Sequence, residues 1–381
     1  MLNSLTIENF RGFRAYTLPE LTRINLLVGK NNCGKTSMLE AIQLLASRHG
    51  YSALSTMLYR RGEYLADWAP GTDSLPIVAS HLFYGHEVNV DSSVSGDREF
   101  QIHGKFGDQS EQLRCVLRPS TFWKAEKAET PVNGNGPMND SSAFLGVELA
   151  LQWKVGQAHW EEILEVVGHN QLSGTGAGPV PAELRTRIPV IMLSAESIRE
   201  DWPLEAFEGV QLTLAEDDVI RAVQKVDSRI ERIATTSRDL GSRSGGVRYR
   251  FFVKLKGSEG RLPMGVLGDG VWHAFLLGLA MVRAKGGLLL VDDIDTGLHY
   301  STMADLWRFV SDLSSPDNLD VQVFATTHSR DCFESLAEVI RDNVAVTDTV
   351  SIHRIEAGLD APVSFRGEDI RYVADHELEV R

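Results

Sequence analysis

Gly29-Lys30-Asn31-Asn32-Cys33-Gly34-Lys35-Thr36 has the residue types and spacing of a phosphate cradle, G-x-x-x-x-G-K-[ST]. Glycines at 29 and 34 let the backbone curl so that successive N–H groups point inward. The Lys35 ammonium then reaches the β and γ phosphates, and the Thr36 hydroxyl coordinates Mg²⁺. Asn31, Asn32, Cys33 and Ser37 complete the candidate phosphate contacts. ATP or GTP, with Mg²⁺, is the expected ligand.

Other candidate groups stand far along the chain. Leu288-Leu289-Leu290-Val291-Asp292-Asp293 is an apolar run ending in two acids, the form of a Walker B strand, and Asp292 would hold Mg²⁺ through water. Asp292 comes 257 residues after Lys35, and Gly265-Val266-Leu267-Gly268-Asp269-Gly270 precedes it, leading into a helical stretch from Val271 to Arg283. That order excludes a simple compact ATPase. A glycine turn at a helix N-terminus just upstream of Walker B is an ABC-type signature, which binds the γ phosphate held by another subunit. Val321 to Thr327 reads as a strand, and His328 at its end fits a switch histidine sensing the γ phosphate.

These groups need elements to hold them. Ile24 to Val28 reads as a buried strand feeding the phosphate loop, and Thr36 to Leu45 as a helix whose positive end faces the phosphates. Leu5 to Phe10 alternates like a strand and turns at Arg11 to Arg14. Candidate strands at Ile77–Phe83, Glu99–His103, Leu113–Leu117 and Phe144–Lys154 suggest an antiparallel sheet inserted after the first helix. Lys124 to Ala143 and Gly168 to Pro181, rich in Gly, Pro, Asn, Ser and Thr, read as mobile surface loops. A helix is expected from about Ala215 to Ala234, then a strand, and the last 120 residues alternate helix and strand.

The 381 residues are 43% hydrophobic and 24% charged, which excludes disorder throughout. Cys33, Cys115 and Cys332 are too dispersed for a disulfide framework or a zinc site. The first residues lack a leader pattern and no run approaches a membrane span, so the expectation is a cytoplasmic protein without a membrane partner. The net charge of −14 argues against a basic coat, yet Arg221 to Arg261 carries eleven Lys or Arg against four acids. On the expected helix, Arg221, Lys225, Arg229 and Arg232 fall in one stripe opposite Val223, Val226, Ile230 and Ile233. In the following strand Arg248, Arg250, Lys254 and Lys256 alternate with apolar residues. This is either a solvated face or a contact for DNA, RNA or an acidic protein.

Asn9-Phe10-Arg11-Gly12-Phe13, the loop from Gly29 to Thr36, Gly268-Asp269-Gly270, Val291 to His299, and Thr326-Thr327-His328-Ser329 together resemble the RecF/SMC/OLD-like ATPases of the AAA_15/AAA_21 group, over nearly the full length. The resemblance implies an α/β fold, an ABC-type P-loop NTPase head with a mixed sheet, an inserted antiparallel β subdomain and a helical signature lobe. It implies a single head in which 1–195 form the phosphate-loop lobe, 196–285 the helical signature lobe, and 286–381 the Walker B and switch-histidine part. Two ATP molecules would be sandwiched in a homodimer, with a higher oligomer also open. Gly268, Asp269 and Gly270 would then act in trans, Gly297-Leu298-His299 would be the D-loop, Arg11 a phosphate-side residue, and Asp293 and His328 the catalytic pair.

Two departures follow. The group usually has Asp-Glu where this chain has Asp292-Asp293, which shortens the general base by one methylene and implies slow hydrolysis. Only 53 residues follow His328, without a clear acidic metal cluster, so a Toprim nuclease domain is not expected. The reading is an ATP-driven switch that controls an effector, a nuclease or toxin, in anti-phage defence. The alternative is a RecF-like DNA-repair clamp, and the third is an ATP-binding scaffold.

Overall fold

A computed structural model describes residues 1–48, 50–63, 79–85, 98–119, 147–167, 171–175, 180–185, 188–194, 202–236 and 247–376. The expected loop from Lys124 to Ala143 lies outside them, as do residues 77–78, 168–170 and 176–179. Two units are present, one of residues 1, 20–39 and 188–381, the other of 2–19 and 40–187. The division falls inside helix α1 (Lys35–Ser47). Strands and helices are numbered along the whole chain.

The second unit is built on a seven-stranded antiparallel sheet, in the order β2-β1-β4-β5-β6-β7-β8. The strands are β1 (Leu2–Phe10), β2 (Phe13–Leu18), β4 (Arg98–Phe106), β5 (Gln109–Pro119), β6 (Val147–Val155), β7 (Ala158–Val167) and β8 (Gln171–Thr175). Phe100, Ile102, Leu113, Leu149, Leu151 and Trp153 are buried, while Gln101, Gln112, Arg114, Gln152 and Lys154 take the other face at period two. Helix α1 comes so close to this sheet that a Cβ at Gly104 would lie 2.5 Å from Leu45 Cδ2. Helices α2 (Gly50–Arg60) and α3 (Ala182–Arg185) complete the described helices of this unit.

Two expectations are corrected here. Residues 79–82 of the expected strand Ile77–Phe83 form a 3₁₀ helix, and only Phe83 makes a bridge, to Phe10. The backbone bonds Arg11 N→Leu82 O and Tyr84 N→Asn9 O fix that turn. Within Gly168–Pro181, read as a mobile loop, Gln171–Thr175 is strand β8. The open edge of β7 supplies main-chain partners whatever the side chains are.

The first unit holds a six-stranded sheet, order β16-β15-β3-β14-β13-β9, with β3 (Ile24–Val28) central. Strands β9 (Val190–Leu193), β13 (Leu288–Val291), β14 (Gln322–Thr327) and β15 (Val350–Arg354) run parallel with β3, and β16 (Val363–Arg366) is antiparallel to β15. The sheet is therefore mixed, as expected. All five residues of β3 and all four of β13 are buried, the continuous apolar pattern of a strand covered on both faces. Around it lie α4 (Trp202–Val210), α5 (Leu214–Gln224), α6 (Asp269–Arg283), α7 (Tyr300–Ser314), α8 (Arg330–Asp342) and α9 (Gly367–Asp375). Phe207, Phe251, Trp272 and Phe275 form an aromatic knot, with Phe251 and Phe275 ring centroids 4.7 Å apart. A small antiparallel sheet, β10 (Ile230–Thr235), β11 (Phe251–Leu255) and β12 (Arg261–Pro263), packs Ile230, Ile233 and Val253 into the same core.

The expected helix from Ala215 to Ala234 is thus two elements. Helix α5 ends at Gln224 with Lys225 as its C-cap, and the chain turns before entering β10. Arg221, Lys225, Arg229 and Arg232 do not share one helical face. The following stretch is corrected too, because Val247–Arg250 is a 3₁₀ turn and the strand covers only Phe251–Leu255.

A buried polar chain ties the base of β3 to its neighbours. Asn25 Oδ1 accepts from Thr22 N (2.8 Å) and from Ser351 Oγ (2.9 Å), and Ser351 Oγ lies 2.9 Å from His353 Nε2, whose Nδ1 is 2.8 Å from Ser364 Oγ. Burial, aided by the Arg366 charge, pushes the His353 pKa down to about 3. The fold therefore holds the neutral imidazole. Its contribution is complete above the ordinary histidine value of 6.5 and is lost as pH falls from there towards 3. Unfolding free energies from urea titrations between neutral pH and about pH 5 should drop by roughly 1 kcal/mol per pH unit from this residue. The slope should flatten in His353→Gln. An unchanged slope in that variant would refute the assignment.

Candidate functional site

The site of the first unit is assembled where β3, β13 and β14 end. Val28 sits in register with Thr327 on one side and Arg354 on the other. The chain then leaves the sheet through Gly29 at φ +148°, and a Cβ there would lie 2.4 Å from Ile355 O, so the first loop residue must be glycine. Asn32 (φ +61°) and Gly34 (φ +103°) complete the curl into α1, with Met38 N donating to Gly34 O at 2.9 Å. Lys30, Asn31 and Asn32 are exposed, whereas Cys33, Lys35 and Ser37 are buried. Lys35 Nζ donates to the loop's own carbonyls, Gly29 O at 2.8 Å and Lys30 O at 3.0 Å.

Thr36 Oγ1 donates to Asp292 Oδ2 at 3.0 Å. Asp292 Oδ1 also accepts from Thr326 Oγ1 at 2.7 Å, and Thr326 Oγ1 accepts from Asp293 N at 2.8 Å. Phosphate loop, Walker B strand and the last turn of β14 are thus linked through side chains. Asp293 adopts φ +52°, a left-handed conformation in which Asp is among the tolerated residues. Its carboxylate lies 3.5 Å from His328 Nδ1, and both side chains are about half exposed, as groups that must meet solvent or ligand are. Asp295 accepts from Thr327 Oγ1 at 2.7 Å, while Ser329 N donates to the same hydroxyl at 2.9 Å.

Thr326, Thr327 and Asp295 were not singled out as site residues by the sequence reading. The signal was present: two hydroxyls ending an apolar strand are buried, and buried hydroxyls need partners. The buried His273 of α6 was missed as well. Its Nε2 is 3.0 Å from Ile294 O, and burial holds its pKa below the usual value against the pull of that bond and of Asp295.

The candidate signature segment begins α6. Gly268 (φ +92°, ψ 175°) is its N-cap, in a backbone region open only to glycine, and nothing stands within 4 Å of a Cβ built there. Asp269 leaves its side chain 80% exposed and pairs with Arg248, whose Nη2 donates to Gly268 O at 2.7 Å. A Cβ on Gly270 would meet Gly297 O at 2.9 Å and Leu298 Cδ2 at 3.6 Å. The segments around Gly268–Gly270 and Gly297–Leu298 therefore pack together within one chain. His299 caps α7, accepting from Ser301 N, and its ring lies 4.3 Å from that of Tyr300.

Arg11 belongs to the other unit. It is 3% exposed, at φ +52°, and paired with Glu40 (2.7 Å) and Glu63 (2.6 Å). Burial raises the Glu40 pKa, and the charges of Arg11 and Arg61 oppose that rise. Some of the basic residues are ion-paired: Arg221 with Asp218 and Asp312, Arg229 with Asp227, and Lys254 with Glu231.

The donor set suits Mg-nucleotide. Thr36 and Asp292 offer hard oxygen ligands side by side, beside a glycine-built loop and a lysine. Among the described residues no group of three or more His, Cys, Asp or Glu could hold a metal, and no helix is long and apolar enough to cross a membrane.

Two family models match the chain in separate parts. Residues 1–147 match the family model "AAA ATPase domain", and residues 205–331 match "AAA domain, putative AbiEii toxin, Type IV TA system". The chain is 21% identical over 385 aligned residues to an ATP/GTP phosphatase of Helicobacter pylori, covering 99% of each. It is 32% identical over 118 residues to the DNA replication and repair protein RecF of Vibrio cholerae, covering 30% of this chain and 32% of RecF. Among solved structures it is similar to the SMC head domain from Thermotoga maritima, with 12% identity, coverage of 96% and 99%, and a TM-score of 0.43. A second, the Smc head domain with an extended coiled coil bound to the C-terminal domain of ScpA, from Pyrococcus furiosus, has 10% identity, coverage of 99% of each chain, and a TM-score of 0.49. With the phosphate loop, paired acids and strand-end histidine in one linked site, and with AAA-type ATPase models matched over two separate parts of the chain, this protein is similar to ATPases of the AAA/ABC type, RecF among them.

Proposed function

We propose that the protein is an ATP-driven switch whose heads close on one another around nucleotide and reopen after hydrolysis. The observation that carries this reading is the side-chain string from Thr36 through Asp292 and Thr326 to Asp293, with His328 at 3.5 Å. Lys35 and the loop amides would bind the β and γ phosphates, and Thr36 and Asp292 would hold Mg²⁺, which supplies charge neutralisation at the phosphates. Lys35 would exchange its two loop carbonyls for phosphate oxygens. Asp293 would orient the attacking water and take its proton, with His328 beside it. A carboxylate one methylene short of the group's usual glutamate makes that step slow.

The exposed signature supports a partner in trans. Gly268 and Asp269 are open to solvent and buttressed from within by Arg248, Gly297 and Leu298. A second head would bring its bound γ phosphate to this helix N-terminus. For output we infer an effector protein, a nuclease or toxin, in anti-phage defence; the family description that names a toxin system favours it. A RecF-like clamp acting on DNA is the second reading, favoured by the RecF match over 118 residues. Ion pairs at Arg221, Arg229 and Lys254 offset part of the charge such a clamp would use.

The test is a block in trans. Gly268→Arg should abolish ATP-dependent association and cut hydrolysis at least tenfold while leaving Mg-ATP affinity within about twofold. Because Gly268 occupies a glycine-only region, Asp269→Arg is the companion variant on an unstrained backbone. Sedimentation showing full ATP-dependent association in both variants would overturn the sandwich.

A further inference from the structure

The turn joining α4 to α5 displays two leucines on a rigid support. Leu212 is 98% exposed and Leu214 87% exposed. Leu212 also adopts φ +62°, a conformation that disfavours leucine and would suit glycine or asparagine. The turn is nonetheless firmly built. Glu216 Oε2 accepts from Leu212 N at 2.7 Å, Thr213 Oγ1 donates to Val210 O at 2.6 Å and accepts from Ala215 N, and Gln211 N and Thr213 N bond back to α4. Ordering this turn on docking would cost little, which favours its use as a contact. Its surroundings carry one sign of charge. From Trp202 to Ile220 the chain has five acids and no Lys or Arg, and Glu205, Glu208 and Asp217 are exposed.

The complementary surface occurs on the same unit. On the solvent face of the β10-β11-β12 sheet, Arg232, Lys254 and Arg261 stand directly opposite one another in one cross-strand row. Like charges in that arrangement cost stability. Lys254 has Glu231 at 3.2 Å, but among the described residues no carboxylate pairs with Arg232 or Arg261. The adjacent row is Ala234, Phe252 and Pro263, with the Arg261 guanidinium 4.5 Å over the Phe252 ring. An apolar row beside a cationic row matches, in both components, two exposed leucines flanked along the chain by exposed acids.

We propose that the Leu212–Leu214 turn of one copy docks on the β10-β11-β12 face of a second copy, as a nucleotide-independent contact separate from the ATP sandwich. Leu212 and Leu214 pack on Ala234, Phe252 and Pro263. Glu205, Glu208 and Asp217 meet Arg232, Lys254 and Arg261. Neither surface includes the phosphate loop, Walker B or signature residues, so the contact stands whether or not the sandwich does.

The experiment is sedimentation of the full chain without nucleotide, in a Lys35→Ala background that removes the sandwich. The parent should associate with increasing concentration. Leu212→Asn/Leu214→Asp, which relieves the backbone and keeps the Thr213 and Glu216 bonds, should weaken association at least tenfold. Glu208→Lys/Asp217→Lys and Arg232→Glu/Arg261→Glu should each do the same alone, and mixing these two charge-reversed proteins should restore it. A parent that stays monomeric, an unchanged leucine variant, or failure of the mixed pair would overturn the proposal. So would a monomeric parent that binds a single-stranded oligonucleotide through the Arg232 and Arg261 face.

Discussion

Asp293→Asn should lower ATP turnover by about 10²- to 10⁴-fold, the range that loss of a positioned general base produces, while leaving Mg-ATP bound. The amide is nearly isosteric, can retain a hydrogen bond to His328, and loses only the ability to take a proton. Asp292→Asn should behave differently, because Asp292 is bonded to Thr36 and Thr326 and its replacement weakens Mg²⁺ binding before it touches the chemical step. Phosphate release and metal titration on the two variants separate these effects. If Asp293→Asn turns over at the wild-type rate, the base lies elsewhere, and Asp295, two residues after Asp293 and held by Thr327, is the next to replace.

Lys35→Ala should remove nucleotide binding altogether. The ammonium lies in the mouth of the loop on two carbonyls, and without it the triphosphate charge is met only by backbone amides, Thr36 and the metal. Calorimetry should register at least a hundredfold loss of affinity for both Mg-ATP and Mg-GTP. The ATP/GTP phosphatase of H. pylori makes the second nucleotide worth titrating. Undiminished affinity would remove the loop from the account.

How far the chain was legible depended on whether the signal was local. The phosphate loop, Asp292 and His328 each end an apolar strand, and the spacing of glycines, acids and histidine needs no tertiary information. The structure puts those strands side by side, as that order implied. The hydroxyl contacts of Thr326 and Thr327 were hidden because they depend on which strand neighbours which. The false helix has a specific cause. Ile230 and Ile233 are three apart, which fits helical periodicity, yet both are buried on a strand because the pairing shifts at a bulge between Ile230 and Arg232. An extra residue in the ladder moves the inward position by one, and alternation then looks like a turn of helix. Because residues 230–235 are a strand and not a helix, Arg232 lies on the sheet instead of beside Arg221. Arg11 illustrates a different limit: the family resemblance implies a phosphate-side role, while its ion pairs with Glu40 and Glu63 depend on partners 29 and 52 residues away.

Small-angle scattering on Asp293→Asn, with and without Mg-ATP, tests the switch most directly. The Leu212→Asn/Leu214→Asp substitutions are included so that only nucleotide-dependent association contributes. An ATP-closed pair of heads predicts that the scattering mass doubles on adding Mg-ATP and returns to the monomer value when Gly268→Arg or Asp269→Arg is also present. A mass that does not change with nucleotide, or that doubles equally in the signature variants, would contradict it.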